Sequence, residues 1–168
     1  HLVEEFKLPK CKVISVATHD TASAIVGIPV TTNNWAYLSS GTWSLLGVEL
    51  KQPILSNEAL KSNYTNEGGA YQTYRFLKNI SGMWFIQEIS KSLQYKYSFQ
   101  EMADAASEVE PFIQYIDLND PRFLNPKDMV SEIQDYCIEN DLVVPRTLGE
   151  LTMSIYSSLV VSYESAIR

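Results

Sequence analysis

The sequence predicts an α/β domain with a central sheet and flanking helices, and three observations carry that prediction. The first half contains short β-rich runs, two of them joined by Ser39-Ser40-Gly41-Thr42, a hairpin signature with glycine in the turn. The second half places apolar residues at helical spacing behind two capping-box pairs, Ser98 with Glu101 and Thr147 with Glu150. The chain of 168 residues is long enough for one core, and its 45% hydrophobic content is that of an ordinary globular domain.

The elements follow in order. Residues 12–17, Lys-Val-Ile-Ser-Val-Ala, read as a buried strand. Residues 18–20 read as a turn, 21–26 as a short helix and 29–34 as a loop. The apolar runs 35–38 and 43–48 are the hairpin strands. Ser56 caps one or two helical turns up to residue 63. Gly68-Gly69 interrupts the pattern, and 71–77 reads as a strand. Residues 80–93 form a helix with Ile86, Ile89 and Leu93 on one face. Ser98 opens a second helix through Met102, Ala106 and Val109, while 112–118 fits either state. Asn125-Pro126 supplies a cap and a first-turn proline for a third helix through Met129, Ile133 and Cys137. Thr147 opens a long helix with Leu148, Leu151, Ile155, Leu159 and Ser162 on one face. There is no internal repeat, low-complexity stretch or linker.

Charge and composition exclude several classes. A net charge of −7 argues against nucleic acid, whose phosphates call for a basic face. It leaves a single nucleotide open, because backbone N–H groups can hold phosphates. Cys11 and Cys137 form no CxxC pair, and two histidines, one of them terminal, argue against a zinc site, so both read as free thiols. No apolar run reaches the ~20 residues of a membrane span. The polar first ten residues are no signal peptide, so the prediction is cytoplasmic. No GxxxxGK[ST], GxGxxG or GxSxG motif occurs. The first residue is not Met, and Arg168 ends an uncapped helix, so the chain reads as part of a longer protein.

Three places can carry chemistry. Asp20 follows a predicted strand at the turn into a helix, where open α/β sheets bind ligands. Its carboxylate can accept a proton from an attacking hydroxyl, or it can simply cap the helix. His19 beside it is either a substrate contact or a structural histidine. The turn at Ser39-Ser40-Gly41-Thr42-Trp43-Ser44 offers N–H groups and hydroxyls to a phosphate, or is an ordinary tight hairpin. Asn79 precedes a predicted helix and either caps it or reaches a ligand.

Together, residues 19–24 (HDTASA), 39–47 (SSGTWSLLG) and 66–87 (NEGGAYQTYRFLKNISGMWFIQ) resemble the second domain of the FGGY carbohydrate kinases, with the motifs in family order over roughly residues 12–93. That resemblance implies an actin-like, ribonuclease-H-like domain with a mixed central sheet, forming one side of a two-domain cleft. It implies a kinase using ATP and Mg2+, with L-rhamnulose the sugar that the wording of 39–44 and 66–69 favours. Asp20 matches the catalytic base, His19 and Thr21 match sugar contacts, Gly41 and Thr42 match the ATP-phosphate loop, and Asn79 and Gln87 match nucleotide contacts. The N-terminal domain, with its Asp-x-Gly loop, and the last glycine-rich segment of the C-terminal domain are absent, so the 168-residue chain alone is expected to be inactive. A kinase for xylulose, fuculose or glycerol keeps the same chemistry with a different pocket. An actin-like domain that binds nucleotide or sugar without catalysis has no need of Asp20.

Overall fold

The computed structural model describes residues 2–168 apart from Lys10, Cys11, Val13, Ser15, Thr18, Asn33 and 111–114. After a single turn, α1 (Leu2–Glu5), the described part of 12–17 joins no strand. Ile14 and Val16 are exposed there, 77% and 69%, so no sheet neighbour buries these two residues of the run that the sequence marks as β. Val13, Ser15 and the Cys11 thiol lie outside the described residues, whereas Cys137 is a buried free thiol.

The helix α2 (Asp20–Val26) starts one residue earlier than the composition implies. His19 is its N-cap: the backbone there is extended, and Nδ1 accepts the Thr21 N–H at 3.3 Å. Strands β1 (Tyr37–Ser40) and β2 (Trp43–Leu50) form the expected hairpin, in the register Tyr37↔Gly47 and Ser40↔Ser44. Ser56 caps α3 (Asn57–Lys61) through the Ala59 N–H at 3.1 Å.

Two further strands complete the sheet, β3 (Tyr64–Gly68) and β4 (Tyr74–Ser81). The sequence reading missed β3 and placed β4 too early. Residues 70–73 are instead a tight turn closed by Thr73 N–H to Ala70 O at 3.0 Å, with Tyr71 and Gln72 at φ 51° and 64°. Asn79, Ile80 and Ser81 stay in β4 because they pair with Leu45, Ser44 and Trp43. The next helix, α4 (Trp84–Ser92), therefore starts four residues later than predicted, behind Met83, which makes no side-chain cap.

The strand order is β1-β2-β4-β3 and every pair is antiparallel. Among the described residues the sheet is thus antiparallel rather than mixed. The β1–β2 and β3–β4 connections are hairpins, which reverse direction, and β2 reaches its neighbour β4 through α3 and β3.

The helical half follows the capping signals. α5 (Phe99–Ser107) and α7 (Leu148–Ile167) both begin with complete capping boxes. α6 (Met129–Glu139) is capped by Asp128, whose Oδ1 accepts the Ser131 N–H at 2.8 Å, and not by Asn125. In the undecided segment, Ile116 and Leu118 are buried, and the Ile116 N–H donates to Ser158 Oγ at 2.9 Å.

Strand periodicity divides the core. Leu46 and Ile80 point from one sheet face into the helices, joining Phe85, Ile89, Met102, Ile133 and Ile155 in one cluster. Tyr37 and Leu77 point from the other face and hold Ile25 of α2. Among the described residues no helix is long and apolar enough to cross a membrane.

Candidate functional site

Gly41 and Thr42 form the tip of the β1–β2 hairpin, and the start of α4 grips that tip. The Met83 N–H donates to Gly41 O at 2.9 Å, and the Gly82 and Trp84 N–H groups donate to Thr42 O at 3.1 and 3.0 Å. The Thr42 side chain is left at the surface, with Oγ1 3.1 Å from Gln87 Nε2 and 3.3 Å from Oε1. Gly41 is not in the left-handed region, and a Cβ there would meet only Trp43 O at an ordinary 3.5 Å. Its bare backbone keeps the turn open on the outside.

Asn79 is a strand residue opposite Leu45, so it caps no helix. It is exposed, on the sheet face away from the buried Ile80 and next to the α2 side. Two residues on, Ser81 pairs with Trp43, which places Asn79 at the hairpin-tip end of the sheet.

The second cluster is His19, Asp20 and Thr21. Thr21, Ala22 and Ile25 are buried and seat α2 on the sheet. Asp20 faces outward with 94% of its side chain exposed. Its Oδ1 accepts the Thr21 backbone N–H at 2.6 Å and the Thr21 hydroxyl at 3.3 Å, and His19 Nδ1 lies 3.0 Å away. The Thr21 N–H, then His19, hold the Asp20 carboxyl below its ordinary 3.8. The group is therefore an ionised carboxylate at neutral pH, the form a proton acceptor requires. Oδ2 takes none of these bonds.

The structure thus brings Thr42 together with Gln87, and His19 together with Asp20 and Thr21. Among the described residues no hydrogen bond joins the two clusters. Among the same residues no three His, Cys, Asp or Glu side chains converge to hold a metal ion.

One buried polar group escaped the sequence reading. Arg75, 1% exposed, donates from Nη2 to Glu67 Oε2 at 2.6 Å and from Nε to Gly68 O at 3.3 Å. Its Nη1 and the Tyr37 hydroxyl are buried without partners. Burial pushes Tyr37 up to about 12. Only strand register pairs Arg75 with Glu67 and Glu49, so no local motif could have found it.

Residues 36–168 match the FGGY family of carbohydrate kinases, C-terminal domain; His19, Asp20 and Thr21 precede the matched residues. The chain is 57% identical to the rhamnulokinase of Bacillus subtilis over 98% of its length. It is 55% identical to that of Ligilactobacillus salivarius over 97%, and 52% identical to that of Enterococcus faecalis over 95%. It spans about a third of the length of these relatives: 34%, 34% and 32%. With the family's C-terminal domain matched over residues 36–168 and relatives above 50% identity along nearly the whole chain, this protein belongs to the FGGY family of carbohydrate kinases.

Proposed function

We propose that the full-length protein carrying this chain transfers the γ-phosphoryl group of ATP to L-rhamnulose, giving L-rhamnulose 1-phosphate and ADP. The observation that carries this reading is the 57% identity to a rhamnulokinase over 98% of the chain. Asp20 is the general base. Its open Oδ2 takes the proton of the sugar's primary hydroxyl as that oxygen bonds to the γ-phosphorus, while the bond to the β–γ bridging oxygen breaks. His19 and Thr21, on either side, contact the sugar. The Gly41-Thr42 turn meets the ATP phosphates, and Asn79 and Gln87 meet the rest of the nucleotide.

Magnesium prefers phosphate oxygens and water with one or two carboxylates. The ion would be carried in on ATP, as the resemblance to the family implies. When bound there it neutralises charge on the transferring group. The protein's own part is to orient the two reactants and hold the base ionised.

Asp20→Asn in the full-length protein tests the assignment. Turnover with L-rhamnulose, ATP and Mg2+ should fall by ~10²–10⁴ while ATP still binds. Turnover retained within a few-fold would remove Asp20 as the base. Faster turnover of xylulose, fuculose or glycerol than of L-rhamnulose would replace the sugar.

A further inference from the structure

We infer that Gly82 and the Ser44–Tyr163 pair position the Gly41-Thr42 turn, so that the affinity for ATP depends on residues that never touch it. The inference rests on the reading of that turn as the phosphate loop.

Gly82 joins β4 to α4 and is buried. A Cβ on it would lie 2.5 Å from Ser44 Oγ, 2.7 Å from Gly41 O and 2.9 Å from Ser44 N. Two of these three atoms are backbone, so a side-chain rotation cannot relieve the overlap. The atoms in the way belong to the hairpin tip itself or to the residue that closes it. Gly82 is therefore the point at which α4 comes close enough for three successive N–H groups, from Gly82, Met83 and Trp84, to reach the Gly41 and Thr42 carbonyls. Its φ is not in the left-handed region, so close approach rather than conformation is what demands glycine.

The second support comes from the far end of the chain. Ser44 is fully buried, and its Oγ lies 2.7 Å from the Tyr163 hydroxyl in the last turns of α7. This bond ties β2, just behind the turn, to the long helix. The turn is thus held by backbone on the α4 side and by a side-chain bond on the α7 side, while Thr42 Oγ1 and Gln87 remain at the surface. A shift of the α4 start would move the Thr42 backbone and the Gln87 amide together.

The test uses Thr42→Ala, Gly82→Ala and Tyr163→Phe in the full-length protein, with separate KM values for ATP and for the sugar and a melting temperature for each. A misplacement of about 1 Å can cost ~10²-fold, so Gly82→Ala should raise the KM for ATP by ~10-fold or more with the KM for sugar unchanged. Tyr163→Phe removes one hydrogen bond and should raise the KM for ATP by about two- to fivefold, again sparing the sugar. If Gly82→Ala does not fold, Tyr163→Phe carries the test alone. A raised KM for ATP in Thr42→Ala with no change in the folded positioning variants overturns the inference and keeps the phosphate-loop reading. An unchanged KM for ATP in Thr42→Ala overturns that reading. Equal rises in both KM values would show general loosening and also overturn the inference.

Discussion

Gln87 Nε2 lies 3.1 Å from Thr42 Oγ1, which joins the hairpin tip to the first turns of α4 across 45 residues of chain. Both side chains are candidate nucleotide contacts, so their mutual bond sets each in place. Thr42→Val and Gln87→Leu in the full-length protein should each raise the KM for ATP. The double variant should cost less than the sum, with a coupling of about 0.5–1.5 kcal/mol for one hydrogen bond. Additive effects in that cycle would mean that the pair does not act together.

The Asp20 carboxyl is held below 3.8, first by the Thr21 N–H and then by His19. A base with a lowered pKa is active above that pKa and is lost only as the pH falls through it. The acid limb of kcat/KM for sugar should therefore lie below pH 3.8, and the profile should be flat between about pH 5 and 7 on account of this group. A limb centred near pH 6 would assign the proton transfer to another residue.

The Tyr37 hydroxyl is buried without a partner and holds its proton up to about 12, against an ordinary 10.0. Below pH 10 the folded and unfolded chains both keep that proton. Between pH 10 and about 12 the unfolded chain releases it and the folded chain does not, so stability falls across that window. The loss should total about 2–3 kcal/mol. Tyr37→Phe should abolish this alkaline loss and leave stability at pH 7 unchanged or about 1 kcal/mol higher, because an unsatisfied buried group is removed. Urea melts at pH 7 and pH 11 check both parts.

Gly149 is the second residue of α7, and a Cβ there would lie 2.3 Å from the Ala105 carbonyl oxygen and 2.7 Å from Val109 Cγ2. Two effects oppose in Gly149→Ala. Helix propensity favours alanine by about 1 kcal/mol, and overpacking costs about 1–3 kcal/mol. The obstacle is a carbonyl of α5, which cannot rotate away, so overpacking should win and the melting temperature should fall. A rise would mean that α5 and α7 can part at no cost.

Local chemistry made much of the fold legible. Ser98, Glu101, Thr147 and Glu150 announced α5 and α7, because a capping box satisfies the exposed N–H groups of a helix within four residues of sequence. Gly41 announced the hairpin. The apolar spacing of Ile86, Ile89, Met102, Ile133 and Ile155 marked the residues that form the helical core. The candidate site residues were legible only through the order of three motifs. Read one by one, Asp20 and Asn79 fitted helix caps better than ligand contacts, and in the structure neither is one.

What the sequence by itself determined is therefore whatever neighbours in the chain settle: the starts of α5 and α7, the hairpin tip and the family. The tertiary structure alone decided the rest. Asn66, Glu67 and Gly68 have little preference for a strand, yet β3 forms because β4 offers it an edge and Glu67 neutralises the buried Arg75. The apolar residues 14 and 16 have a strand pattern but no partner, and stay exposed. Asn79 remains in β4 because Leu45 lies opposite it. Thr42 meets Gln87 because Gly82 lets the backbone of α4 approach the turn, a contact fixed by packing distance rather than by any local preference.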